Sequence, residues 1–236
     1  MKANGGPIES PNSGYIQTID LEGLIALAKE HDLRMHVRCR PGDFLIAGAV
    51  MVEAEPIVRI TEDIRKRIQA TVALGTHRTP IQDIEFAINQ LVEVASRALS
   101  PGVNDPFTAI ACVDRLGAIL AILAQRRFPS KCIAGNDGVV RLVSEVVTFR
   151  GAANAAFNQI RQYARTNVAL HVRMLETIAA VAEFTQSPDD RAALLAQAEM
   201  LRAAARDAVP EERDRADIEE RFDTARRALS TPERSA

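Results

Sequence analysis

Residues 79–124, TPIQDIEFAINQLVEVASRALSPGVNDPFTAIACVDRLGAILAILA, read as two helices joined by one tight loop, and the rest of the chain is placed around them. Thr79, Pro80 and Gln82 have the form of a helix start. A threonine oxygen accepts an orphan amide, proline fits the first helical position, and Gln82 reaches back to the cap. The spacing predicts a helix from there to about Leu99. Ile81, Ile84, Ile88, Leu91, Val92, Ala95, Ala98 and Leu99 recur at three- and four-residue intervals, which puts them on one stripe of a helix roughly 30 Å long. Ser100-Pro101-Gly102 stops that helix. Asn104-Asp105-Pro106 starts the next, with Asp105 as N-cap and Pro106 at the first helical position.

The polar faces of this hairpin carry the candidate site. Asp83, Gln90 and Arg97 are spaced by seven and line up as a ridge that drifts only about 20° per step. Glu93 stands one turn before Arg97, in pairing range. The tip gathers Arg97, Ser100, Asn104, Asp105 and Thr108, and the preceding loop GTHRT adds His77 and Arg78 beside a helix N-terminus. The expected ligand-binding set is therefore Arg78, Asp83, Gln90, Arg97, Ser100, Asn104, Asp105 and Thr108, with Arg97 as its central donor. A structural reading uses the same residues: Asp105 caps its helix, Ser100 and Asn104 satisfy loop amides, and Arg97 ties down the last carbonyls.

The run RALSPGVNDPFTA, the upstream GTHRTPIQDIEFAINQLVE, and the N-terminal SGYIQTID and RPGDFLIAGA carry a resemblance. Taken in chain order they resemble the bacterial predicted membrane protein family called domain of unknown function twenty-two fifty-four, from about Ser13 to Glu183. Members of that family carry hydrophobic membrane segments ahead of this region. The resemblance implies that this chain corresponds to their soluble, cytoplasm-facing part, free-standing or excised, and brings no established activity.

Composition sets the bounds. With 236 residues, 47% hydrophobic and 25% charged, the chain can bury a sizeable core. Aromatics are 4% and Trp is absent, which leans toward packed helices. A formal charge of -2 gives no general attraction to nucleic acid or anionic lipid. The longest apolar runs, Phe44 to Val52 and Leu116 to Ala124, are far below the roughly 20 residues of a spanning helix, so no bilayer crossing is expected. The N-terminus lacks a signal-peptide apolar region. Cys39, Cys112 and Cys132 form no CxxC pair, which argues against a disulfide framework and a zinc site and makes the cytoplasm the default. No metal or cofactor is expected.

Four regions are expected in chain order: a disordered leader or linker at 1–13, a small β-rich module with one helix at 14–58, a central helical domain at 59–186, and a C-terminal helical hairpin at 187–236. The fold class is mainly α within α+β. Leu33 to Arg40 alternates strictly, and with the apolar run Phe44 to Val52 predicts a hairpin over 33–55. Arg34, His36, Arg38 and Arg40 share one face of it. A cationic row holds anions, and equally serves as the solvated face of an edge strand. Thr61 predicts a capped helix through Leu74, Gly135-Asn136-Asp137-Gly138 a turn, and Thr148, either Thr166 or Asn167, Ser187 and Pro210 the starts of a helical array. Narrow apolar stripes such as Ile218, Phe222, Ala225 and Leu229 suit docking on a neighbouring helix or a second copy, so self-association is expected.

No P-loop, GxGxxG, HExxH, GxSxG or recognition-helix pattern occurs. Two readings follow. The first is a non-enzymatic module that senses a ligand or binds a partner and reports to membrane segments. The second is a hydrolase-like enzyme acting on an anionic substrate at the 97–108 tip, with Asp83, Glu85 or Asp105 as base and Arg78 and Arg97 holding the substrate.

Overall fold

The computed structural model describes residues 5–135 and 137–230; what was expected of residues 1–4 and of Asn136 in the Gly135 turn lies outside them. The chain divides into two compact units, one of Met1–Phe86 and Pro129–Val147, the other of Ala87–Phe128 and Thr148–Ala236. The physical reason is a return of the chain: residues 132–144 leave the helical run and complete a sheet begun before residue 56.

The first unit holds two small sheets and two helices. Its strands are β1 (Gly6–Glu9), β2 (Gly14–Ile19), β3 (Arg34–Val37), β4 (Phe44–Leu45), β5 (Val50–Glu55), β6 (Val72–Gly75), β7 (Cys132–Ala134) and β8 (Val140–Ser144). Its helices are α1 (Leu21–Glu30) and α2 (Glu62–Ala70). One sheet runs β1-β5-β3-β8-β7, the other β4-β2-β6. Among the described residues only β3 and β8 pair in parallel, Met35 facing Leu142. The alternation of β3 holds: Met35 and Val37 enter a core with Ile8, Leu24, Leu33 and Ile68, while Arg34 faces solvent.

Three expectations for this unit are corrected. Residues 6–9, taken as leader, form an edge strand because Ile8 is fully buried opposite Val52. The run from Phe44 to Val52 is two strands rather than one. Gly48 takes a φ of +85° and Ala49 N–H donates to the Ile46 carbonyl, so β4 joins the small sheet while β5 pairs antiparallel with β3. The helix capped by Thr61 ends at Ala70, and Val72 to Gly75 pair with β2 instead of continuing it. A β-branched residue followed by a sheet edge favours that switch.

The second unit is helical: α3 (Ile84–Ala98, whose first turn belongs to the first unit), α4 (Pro106–Ala124), α5 (Phe149–Tyr163), α6 (Val168–Ala182), α7 (Pro188–Ala208) and α8 (Glu212–Ser230). Side-chain caps set the starts, with Asp105, Thr148, Asn167 and Ser187 each accepting an amide three residues on. α4 crosses α6 closely: a Cβ on Gly117 would lie 2.4 Å from the Thr177 methyl. The stripe of α8 packs on α6 and α7 of the same chain, with Ile218, Phe222, Ala225 and Leu229 all buried. Arg191 fastens the ends, donating to the Ala182, Ala228 and Leu229 carbonyls.

Among the described residues α4 alone is long and apolar enough to cross a membrane, with a mean hydropathy of 1.9. Isoleucine, leucine and valine on both sides of the Asp114-Arg115 interruption carry that average, which a count of unbroken apolar runs does not register. Length and composition also suit a core helix. Its Ala109, Val113, Leu116 and Leu120 face is buried, and Asp114 pairs with Arg173 of α6.

Candidate functional site

The expected site residues fall into two groups. The first lies in the first unit, where α3 starts at Ile84 rather than near Pro80. Asp83 is its cap: Asp83 Oδ1 accepts from Phe86 N–H at 3.0 Å. A carboxylate there outcompetes Thr79 because it also receives Arg78, whose Nε donates to Asp83 Oδ2 at 2.8 Å. Asp83 is only 2% exposed. Arg78 lies 5.5 Å over the Phe86 ring as well. The RPGD turn closes on this pair. Gly42 adopts φ +95°, and a Cβ there would stand 2.2 Å from Asp83 Oδ2, so glycine is required both by conformation and by space. Arg40 makes a two-pronged pair with Glu85, at 3.1 and 2.9 Å, and its backbone N–H donates to Asp43. Two guanidiniums thus serve three carboxylates. Further along, Gln82 receives Ile19 N–H and donates to the Ile19 carbonyl. This assembly clasps the RPGD turn to the start of α3, and its net acidic balance opposes a bound anion.

The second group lies at the α3–α4 loop. Arg97 pairs with Glu93 one turn back on its own helix and is 77% exposed. The ridge reduces to Gln90 and Arg97, since Asp83 precedes the helix and is committed to Arg78. Gln90 is exposed. Ser100 Oγ donates to the Arg97 carbonyl at 2.7 Å. Asn104 takes φ +46° and its N–H donates to the Ser100 carbonyl. Asp105 accepts both the backbone N–H and the hydroxyl of Thr108, and the Thr108 hydroxyl is the main reason its carboxyl sits below the usual range. Val103 N–H donates to the Ser100 carbonyl as well, but the side chains of Val103 and Phe107 stand outside this network, with the residues 62% and 80% exposed.

A third set was not foreseen. Along α5 and α7 runs a polar seam: Gln197, fully buried, donates from Nε2 to Asn154 Oδ1 at 2.7 Å and to Asn158 Oδ1 at 3.2 Å. Beyond it the helices part into a groove of about 480 Å³ lined by Arg161, Gln162, Arg165, Met200, Ala204 and Asp207, with Ala203 beside them. Nearby on α6, His171 is fully buried, with Nδ1 2.9 Å from the Asn167 carbonyl oxygen. Burial lowers its pKa, and the Arg161 charge adds to that. The signal was legible as a second polar line at 154, 158, 161 and 165, beside the apolar Ala153, Phe157, Ile160 and Ala164. Among the described residues no cluster of three His, Cys, Asp or Glu side chains has metal-binding geometry.

A family profile described as "Predicted membrane protein (DUF2254)" matches residues 1–180. The chain belongs to this family. Two relatives are the uncharacterized proteins Rv1290c of Mycobacterium tuberculosis and Mb1321c of Mycobacterium bovis, each 30% identical over 240 residues. The match covers 98% of this chain and 45% of each relative, so the chain spans less than half their length. No solved structure matches.

The family match encloses the clasp and the α3–α4 tip entirely. It contains only one wall of the groove: Arg161, Gln162 and Arg165 lie inside it, whereas Met200, Ala203, Ala204 and Asp207 come from α7 beyond it.

Proposed function

We propose that this chain is a non-enzymatic, cytoplasm-facing binding module of a longer membrane protein, and that the α3–α4 tip is its contact with the lipid surface. The observation that carries this reading is the division of labour at the tip. The side chains of Arg97, Ser100, Asp105 and Thr108 are engaged with the chain's own backbone or side chains, while those of Val103 and Phe107 are left exposed within five residues of each other. A hydrolytic site needs a free base beside a nucleophile. Here Ser100 bonds a carbonyl and Asp105 is a helix cap, so the enzymatic alternative finds no such pair at 97–108. An exposed phenylalanine at a helix start suits insertion at the headgroup boundary. The contact is apolar rather than electrostatic, in keeping with the formal charge of -2.

The two side chains together contribute at most about 3–6 kcal/mol if fully buried, enough for weak partitioning that a covalently attached membrane anchor would make permanent. The test is co-flotation of the purified chain with phosphatidylcholine vesicles. Wild type is expected to float in part, and the double variant Val103→Ser, Phe107→Ser to remain in solution. Equal flotation of the two, or none for wild type, removes the reading.

A further inference from the structure

We propose that the groove between α5 and α7 binds a small organic phosphate, with the phosphate held by Arg161 and Arg165 and the organic portion laid along Met200, Ala203 and Ala204. This inference does not depend on the lipid contact at the tip.

Elsewhere in the second unit arginines near a helix seam find carboxylates: Arg173 takes Asp114 and Glu176, Arg202 and Arg206 take Glu219, and Arg221 takes Glu176. Arg161 and Arg165 form no hydrogen bond or ion pair among the described residues, although they share a groove with Asp207. A cation in the last turn of a helix is favoured by the helix dipole, and Arg161 occupies the last turn of α5. That effect explains a positive charge but not its place, half-buried on a groove wall beside the exposed Arg165. Arg161 Nε is enclosed and has no acceptor, and at the head of the same seam Gln197 Oε1 is enclosed and has no donor. Those two atoms are closed off from the groove, but the guanidinium groups of Arg161 and Arg165 line it with no carboxylate paired to them, which leaves donors for an oxyanion that the chain itself does not supply.

The chemistry of the lining narrows the ligand. Two guanidiniums four residues apart present planar donor forks suited to a tetrahedral oxyanion. Gln162 adds amide groups at the rim. Alanines 203 and 204 leave the floor shallow, and Met200 gives it an adaptable apolar wall. Asp207 on the opposite wall disfavours a second anionic group and accepts from a hydroxyl or amine. The volume of about 480 Å³ lies in the range of small-ligand sites. The expected occupant is therefore a phosphomonoester with an apolar or polyol body and a donor group, either a soluble metabolite or a lipid headgroup.

Calorimetry and thermal shift on the whole chain test this with glycerol 3-phosphate, inorganic phosphate and chloride as probes, beside vesicles with and without phosphatidic acid. Glycerol 3-phosphate is expected to bind more tightly than inorganic phosphate, with chloride inert. The variant R161Q/R165Q should weaken binding at least about tenfold. Because that change can also disturb the bundle, Ala204→Met serves as a second variant that fills the floor without altering charge, and the same loss is expected. Binding to phosphatidic acid vesicles that R161Q/R165Q abolishes and V103S/F107S does not, with no response to soluble phosphate, assigns the headgroup source. Equal stabilisation by chloride and phosphate, binding unchanged in both groove variants, or no binding of any phosphate probe overturns the proposal.

Discussion

Two arginine–carboxylate pairs flank the same helix and have opposite characters. Arg78 and Asp83 meet in the first unit with Asp83 almost wholly enclosed, tied to a helix amide and closed over by Gly42. Arg97 and Glu93 meet in the second unit on an open helix face, both more than half exposed. In sequence they look equivalent, each an arginine within five residues of an acid. Burial separates them: water screens the second pair and competes for it, while the first has no alternative partner. A carboxylate that caps a helix, receives an arginine and supports a turn links three segments through one side chain.

The largest expected effect is removal of the arginine from the enclosed pair. Arg78→Ala should lower stability by about 3 kcal/mol or more, because it leaves the enclosed Asp83 carboxyl without its partner. Asp83→Asn keeps a cap acceptor and should cost less than Asp83→Ala. Urea melts of the single variants and of the Arg78→Ala, Asp83→Ala double variant measure the coupling, and a sum of independent effects would refute the clasp.

Next in size is Gly42→Ala, expected to cost about 2 kcal/mol from the left-handed backbone and the collision with Asp83. Its effect should shrink in an Asp83→Ala background, where the collision is relieved. A cost that does not change there would mean that conformation alone requires the glycine.

His171 extends the comparison to a buried group with no counter-ion. Its folded pKa lies below the ordinary 6.5, so the unfolded chain binds the proton first as pH falls. Stability should therefore be full above about pH 6.5 and decline below it until the lowered folded value is passed. His171→Gln does not titrate, and the difference between its melts and those of wild type should lose that slope. The cysteines behave in parallel. Burial pushes the Cys39 thiol up to about 12, so Ellman's reagent should label exposed Cys132 in the folded protein and Cys39 only after denaturation.

Much of the helical part was legible in the sequence. Asp105, Thr148 and Ser187 each combine a short polar side chain with a following helix-compatible run and cap where that chemistry places them, and of the adjacent candidates Thr166 and Asn167 it is Asn167 that caps. The strand module was less legible. Val140 to Ser144 joins β3 across more than a hundred residues, and no local pattern encodes such a partner. The start of α3 was misplaced because Thr79-Pro80 and Asp83 are both good caps, and only the tertiary contact with Arg78 and the RPGD turn selects between them. The seam of Asn154, Asn158 and Gln197 passed unseen because amides on helices ordinarily face solvent.

The smallest effect closes the comparison. Arg97→Ala should change stability by less than about 1 kcal/mol, and Glu93→Ala by a similar amount, since an exposed pair one turn apart on a helix contributes only a few tenths. Moderate salt should erase the difference between Arg97→Ala and wild type, whereas the cost of Arg78→Ala should persist, because screening reaches exposed charges and leaves enclosed ones largely untouched. A loss of about 3 kcal/mol for Arg97→Ala would contradict its solvent-facing placement and restore it as the central donor of a polar cluster. A small, salt-sensitive loss leaves Arg97 as a solubilising residue beside the apolar tip, and leaves Val103 and Phe107 as the groups through which that tip acts.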